Sequence, residues 1–295
     1  MIHYGTTLAA GWPLRDRSIT MSLLLGATWP DLPWVLLRGL HMVVPISSSL
    51  TPSYYVQPFA TPLMCLWAGV IFACCVRRPR RQAVAFVAAA WLHLLLDACQ
   101  TRFGNGVAFL YPLSGKLYDF EVFWEESPVG LAMLALSVGF VAVVAKQGVA
   151  SMTWKRPPAM WVAVLLVGYF AMPVVTWSLM RGDDTFGMAF VSDPTSFEGR
   201  TVGFDRNLLA GTNPPILRTW YGRDLRLVGV PAEAQAGDIV SVRGRYTDGE
   251  IAVEAFHVHL RHLHDVPSMV ALAVFVVILW RARRNAPSIG VNQTA

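Results

Sequence analysis

The residues best suited to chemistry in this sequence are a histidine and an aspartate four positions apart. His93 and Asp97 lie in an otherwise apolar stretch that begins at Trp91. An i, i+4 spacing places both side chains on one face of a helix. Imidazole and carboxylate groups placed in this way can bind one metal ion. The spacing equally allows a His–Asp hydrogen bond that satisfies two buried polar groups.

A second carboxylate, Asp31, ends the sequence Gly26-Ala-Thr-Trp-Pro-Asp31 and lies within an apolar run. An aspartate at the centre of a membrane helix costs about 2.5–3.5 kcal/mol, so it should face a polar cavity or a charged partner. The carboxylate is also suited to cap a helix that starts near Leu32 or Pro33. The two roles are compatible.

The remaining candidates are histidines outside these motifs. Residues 257–264 contain four of them, and His257 and His259 share a face if this segment is a strand. That pattern predicts either a metal site or a solvated stem. His3 and His41 are isolated, and isolated histidines are more often structural than catalytic.

The composition indicates a membrane protein. Apolar residues make up 54% of the 295 residues and charged residues only 15%, whereas about 25% of an ordinary soluble domain is charged. This balance excludes a disordered or collagen-like chain. The spacing of the four cysteines predicts neither a disulfide nor a cysteine-based zinc site.

Apolar runs predict about six membrane-spanning helices, since each span needs about 20 apolar residues. The fold class expected is therefore a mainly α, polytopic helical bundle in the inner membrane. Lys and Arg concentrate in alternate short loops, which places both termini in the cytoplasm and residues 181–265 outside. The six segments are 19–47, 60–76, 83–99, 129–146, 159–180 and 266–281.

Residues 181–265 differ from the rest of the chain, because apolar and polar residues alternate there with the period of a strand. Five strand candidates and an Asp248-Gly249 turn predict a small all-β domain, either an OB-like barrel or a sandwich. Because it has no row of aromatic residues for stacking bases, we expect no nucleic-acid partner. The predicted domains are 1–180, 181–265 and 266–295, the last being the final span and a basic tail.

Two of these motifs together resemble the membrane-bound metal-dependent hydrolase family, which includes the LexA-regulated inner-membrane hydrolases of bacteria. Gly26–Asp31 is similar to its G-A-x-x-P-D signature, and His93–Thr101 resembles its H-x-x-x-D-x-x-T motif. Gly106–Leu113 resembles the stretch that follows. The resemblance covers roughly residues 1–128.

The resemblance implies that Asp31, His93 and Asp97 are metal ligands, with His3 as a fourth. Such ligands suit Zn²⁺, Mn²⁺ or Mg²⁺. The sequence departs from the family at Pro33, where many members have a second acid. It also lacks the His-Arg-Gly-x-x-His-Ser motif: residues 46–62 contain no histidine, and His41 is the available substitute.

The expected function is a membrane-embedded metal-dependent hydrolase that acts near the outer leaflet on a phosphoester or lipid-linked substrate. Its expected partners are the lipid bilayer and a small-molecule or lipid-linked substrate. The alternative is a non-catalytic membrane scaffold whose external β domain binds a partner. A transporter is disfavoured because no inverted repeat is evident. The sequence determines neither the substrate, the metal identity nor the oligomeric state.

Overall fold

The apolar runs of the first 180 residues form helices, and Pro62 and Pro79 occupy the first turns of two of them, where a missing N–H costs nothing. The computed structural model describes residues 3, 7, 17–43, 55–147, 154–178, 190, 193–219, 222–260, 270, 273–274, 276–278 and 280. Its α-helices are α1 (Arg17–Thr28), α2 (Leu32–Val43), α3 (Pro62–Cys75), α4 (Pro79–Cys99), α5 (Pro128–Gln147) and α6 (Ala159–Val175). Short 3₁₀ helices form at Gln57–Phe59 and Pro194–Phe197.

Helix α4 is central, because α1 and α3 both pack against it. Gly26 of α1 lies so close to α4 that a Cβ at this position would be 2.1 Å from the carbonyl oxygen of Phe86. Ala27 and Ala89 are fully buried in the same small cluster. Small side chains thus allow α1 to approach the helix that contains His93 and Asp97.

An irregular loop of residues 100–127 connects α4 to α5. Its two ends are joined, because the Thr101 N–H donates to the carbonyl oxygen of Phe123 at 2.8 Å. In its middle, Val107 and Tyr118 exchange two backbone hydrogen bonds of 3.1 Å. The loop is therefore held against the end of α4, next to Asp97.

The C-terminal half contains a closed barrel of five strands in the order β1-β2-β3-β5-β4. The strands are β1 (Thr201–Thr212), β2 (Pro215–Arg218), β3 (Asp224–Val228), β4 (Ile239–Thr247) and β5 (Glu250–Val258). All pairs are antiparallel except β3 with β5. Of the two predicted alternatives, barrel and sandwich, the structure has the barrel.

The turn between β4 and β5 has the expected chemistry. Asp248 and Gly249 have φ angles of 53° and 83°, and two-residue hairpin turns of this kind require positive φ at both positions. The inward residues of the strands fill the barrel; fully buried examples are Leu209, Leu217, Val240, Val242 and Ile251. Strand β1 begins at Thr201, because Phe197 ends the preceding 3₁₀ helix.

The barrel rests on the loop of residues 100–127. Gly203 of β1 lies so close to it that a Cβ would be 2.7 Å from the amide nitrogen of Gly104. The Arg243 guanidinium lies over the Phe103 ring, 4.7 Å from its centroid, and also pairs with Glu121. Two parts of the chain that are distant in sequence therefore share an interface beside α4.

The prediction of a polytopic bundle with about six spans is wrong, and so is the multi-pass inner-membrane localisation that depended on it. Among the described residues, only Pro79–Cys99 is long and apolar enough to cross a membrane, and 44% of its most apolar window is buried inside the protein. The other apolar helical stretches, Ile19–Thr28, Pro62–Cys75, Pro128–Val144 and Ala159–Val175, are shorter. The predicted cytoplasmic position of both termini and the outside position of the barrel depended on the six spans and are wrong as well.

The physical reason is that apolar composition does not fix helix length. The segment 19–47 is divided at residues 29–31 into two helices of 12 residues each, and a span needs about 20 residues. Part of the apolar surface is buried between helices and under the loop of residues 100–127. The predicted last span, 266–281, lies mostly outside the described residues.

Candidate metal centre

The geometry of the centre begins with the orientation of His93, which is fully buried. Its Nδ1 lies 2.6 Å from the carbonyl oxygen of Ala27. A carbonyl can only accept, so Nδ1 carries the proton and donates it. The other ring nitrogen, Nε2, is then the atom that can bind a metal ion, and a metal-binding histidine is usually fixed in this way by a backbone carbonyl.

Two carboxylates face this nitrogen. Asp31 Oδ1 and Asp97 Oδ2 each lie 3.4 Å from His93 Nε2. Yet Nε2 is buried and makes no hydrogen bond with the described part of the chain. Tetrahedral ligands bound at about 2.0–2.1 Å are separated from one another by about 3.3 Å, so the observed separations fit ligands of a shared ion.

His3 completes the group from the N-terminal segment. Its ring stacks on that of His93, with centroids 3.9 Å apart, and its Nε2 lies 3.2 Å from Asp97 Oδ1. Ligand atoms of His3, His93 and Asp97 all lie within 4.8 Å of one another. The structure therefore brings together all four residues of the first candidate set, Asp31 through its contact with His93.

Asp31 differs from the other three in its exposure. Its side chain is 56% exposed, whereas that of Asp97 is 15% exposed and that of His93 is buried. Asp31 directly precedes α2, so the position expected of a capping residue is also the one that faces His93. His93 and Asp97 thus form the buried side of the centre, and Asp31 lies on its solvent-exposed side.

Without a metal ion, a positive charge on His93 compensates the facing carboxylates. Burial lowers the pKa of His93, but Asp31 and Asp97 outweigh it and raise that pKa to about 10, so a bound metal ion would replace the proton on Nε2. Loss of solvation raises the pKa of Asp31, but the facing His93 lowers it to about 2. Burial and the adjacent His93 lower the pKa of His3, which favours the neutral imidazole that binds metals. The two ionised carboxylates attract one positive charge to the point where they meet.

Arg102 is a site residue that the sequence analysis did not identify. Its Nη2 donates to Asp97 Oδ1 at 2.8 Å, and its Nε donates to Gln100 Oε1 at 2.9 Å. Asp97 and neighbouring acids raise the pKa of Arg102 despite its burial. Its position in the sequence could have identified it, since Arg102 follows Asp97 by five residues and is one of only two cations in residues 100–128.

The secondary candidates do not join this centre. His41 falls in α2, but its side chain lies outside the described residues. His257 and His259 instead meet Glu126, which precedes α5, and these three residues form a second group with ligand atoms within 4.8 Å. Glu126 was not a candidate, because no local pattern marks it.

The sequence predicted a divalent metal ion, and the described residues include two groups of side chains that could hold one. The identity of the metal stays a prediction.

Comparison of the chain with known protein families, with curated proteins and with solved structures gave no match. The hydrolase resemblance therefore stays a prediction from two motifs, and the argument for function depends on the geometry of the centre.

Proposed function

We propose that this chain is a metal-dependent hydrolase whose centre is formed by Asp31, His93, Asp97 and His3. The observation that carries the proposal is the orientation of His93. Its Nδ1–H is committed to the Ala27 carbonyl, so its Nε2 faces the two carboxylate oxygens at 3.4 Å. Both separations are longer than an ordinary N–H···O hydrogen bond of about 2.7–3.2 Å.

The residues of the centre have distinct roles in this proposal. His93, Asp97 and His3 form the buried ligand set. Arg102 holds the Asp97 carboxylate in place and is itself held by Gln100. Asp31 lies at the open side, so water and substrate would reach the centre past it. A divalent ion bound there would acidify a water molecule and polarise a phosphoryl or acyl oxygen.

The chemistry of the ligand set favours a phosphoester substrate. A divalent ion held by carboxylates and imidazoles would stabilise the negative charge that builds up on phosphoryl oxygens during hydrolysis. We therefore assign the reaction class as metal-assisted phosphoester hydrolysis.

The proposal is tested by measuring bound metal and turnover of a chromogenic phosphodiester in the purified chain with Zn²⁺, Mn²⁺ or Mg²⁺. Asp31→Asn, Asp97→Asn and His93→Gln should each weaken metal binding by at least the roughly 10–100-fold that loss of an outer partner costs. Asp193→Asn is the matched control, because this exposed carboxylate bonds only locally, for example to Thr195, and it should leave both quantities unchanged.

Each outcome has a defined meaning. Unchanged metal content at this centre in all three variants would contradict the site. Metal loss without any turnover in the parent chain would favour the non-catalytic alternative, in which the barrel binds a partner and the centre is structural.

A further inference from the structure

The second group of ligand atoms lies where the barrel meets the segment before α5. His257 lies near the end of β5 and His259 directly follows that strand, while Glu126 lies two residues before Pro128, the first residue of α5. The two histidines are two positions apart, so they lie on the same side of the chain. Packing of the barrel on the loop of residues 100–127 brings all three together.

Two buried atoms in this group have no hydrogen-bond partner among the described residues. They are Glu126 Oε2 and His257 Nε2, and they face each other at 3.4 Å. The Glu126 side chain is only 10% exposed. Leaving both atoms unsatisfied is costly, whereas a shared Zn²⁺ with bonds of about 2.0–2.2 Å would hold them about 3.3 Å apart.

His259 is oriented by a hydrogen-bond chain on its far side. Its Nε2 lies 2.7 Å from Ser241 Oγ, and that hydroxyl donates to Asp205 Oδ1 at 2.7 Å. Its Nδ1 lies 2.7 Å from Glu126 Oε1. A metal-binding histidine characteristically has its second nitrogen fixed in this way. Only the contact between His259 and Glu126 must open, by about 0.6 Å, for both to bind one ion.

We propose that Glu126, His257 and His259 form a zinc site that fastens the barrel to the helical part of the chain. Two imidazoles and one carboxylate are an established ligand set for Zn²⁺, with water in the fourth position. The partly exposed His257 side, at 26%, leaves room for that water. The ring of Trp124 stacks on His257 at 3.9 Å and holds it in this orientation. This inference does not rest on the hydrolase proposal.

The test is a count of Zn²⁺ per chain and a Zn²⁺ titration in the full-length protein. Glu126→Gln and His257→Gln should each bind one Zn²⁺ per chain fewer than the parent protein. Ser241→Ala should keep this Zn²⁺ but bind it about 10–100-fold more weakly. Glu121→Gln is the matched control, because Glu121 also faces the barrel but pairs with Arg243; it should keep this Zn²⁺.

The Asp97→Asn chain separates this site from the first centre. The Zn²⁺ assigned to Glu126, His257 and His259 should persist there even if the first centre binds nothing. If Glu126→Gln and His257→Gln bind as much Zn²⁺ as Glu121→Gln, the zinc site is excluded and the group is an ion-paired contact only. Ser241→Ala keeps all three ligands and removes only the hydroxyl that orients His259, so it tests the zinc site independently of the ligand variants.

Discussion

At the scale of single residues, the first centre depends on paired polar groups whose partners come from elsewhere in the chain. Asp97 contacts His93, His3 and Arg102, and each contact uses a carboxylate oxygen. Arg102 also donates to Gln100. Removing one member of such a buried group leaves a charge without compensation, which costs more than the intact pair contributes.

We expect Arg102→Ala, measured without metal, to destabilise the protein by about 3–5 kcal/mol because Asp97 loses its permanent counter-charge. The matched control is Arg218→Ala. Arg218 pairs with Asp224 on the surface, where the two side chains are 55% and 48% exposed, so its loss should cost about 0–1 kcal/mol. Chemical denaturation of the two variants measures the difference. Equal denaturation midpoints for the two variants would show that the Arg102–Asp97 pair contributes no more to stability than the surface pair.

At the scale of elements, the distance between α1 and α4 decides whether the centre can form. Ala27 on α1 supplies the carbonyl that binds His93 on α4. The neighbouring Gly26 allows this approach, because its missing Cβ would contact the Phe86 backbone. In the Gly-Ala-Thr-Trp-Pro-Asp motif, Gly26 and Ala27 thus allow the close packing that positions His93, and Asp31 provides a carboxylate that faces it.

We expect Gly26→Ala to separate the two helices and to destabilise the protein by about 1–3 kcal/mol, since a backbone atom cannot move aside as a side chain can. Metal binding at the first centre should weaken with it, because the Ala27 carbonyl would move away from His93. Gly39→Ala in α2 is the control. In the part of the chain that the structure describes, no atom lies within 4 Å of its added Cβ, and alanine should stabilise this helix by roughly 0.5–1 kcal/mol. If both variants melt at the same temperature, the close approach is not required.

At the scale of the whole molecule, the loop of residues 100–127 connects the two halves. Its start contributes Arg102 to the first centre, and its end contributes Glu126 to the second group. Between these positions, Glu125 pairs with Arg206 of β1 at 2.7 Å. The position of the barrel is therefore coupled to the segment that holds Asp97.

We expect Gly203→Ala to push β1 away from the loop, because the added Cβ would be 2.7 Å from the Gly104 amide nitrogen. Amide hydrogen exchange in residues 101–106 should then be faster than in the parent protein, since local opening becomes easier. Gly211→Ala is the control within the same strand: its Cβ would meet its nearest neighbour, the Pro214 carbonyl oxygen, at 3.4 Å. Unchanged exchange in Gly203→Ala would show that the barrel does not order the loop.

The sequence by itself determined the features that depend on local spacing. It placed His93 and Asp97 on one helical face, Asp31 at a helix start, and the Asp248-Gly249 turn between two strands, because helix and strand periods and turn geometry are local properties. Tertiary structure decided the rest. It set the helix lengths that contradict six membrane spans. It also brought Arg102 to Asp97, Ala27 to His93, and Glu126 to His257. The last two pairs join residues 66 or more positions apart, and only the packing of helices and barrel brings such residues into contact.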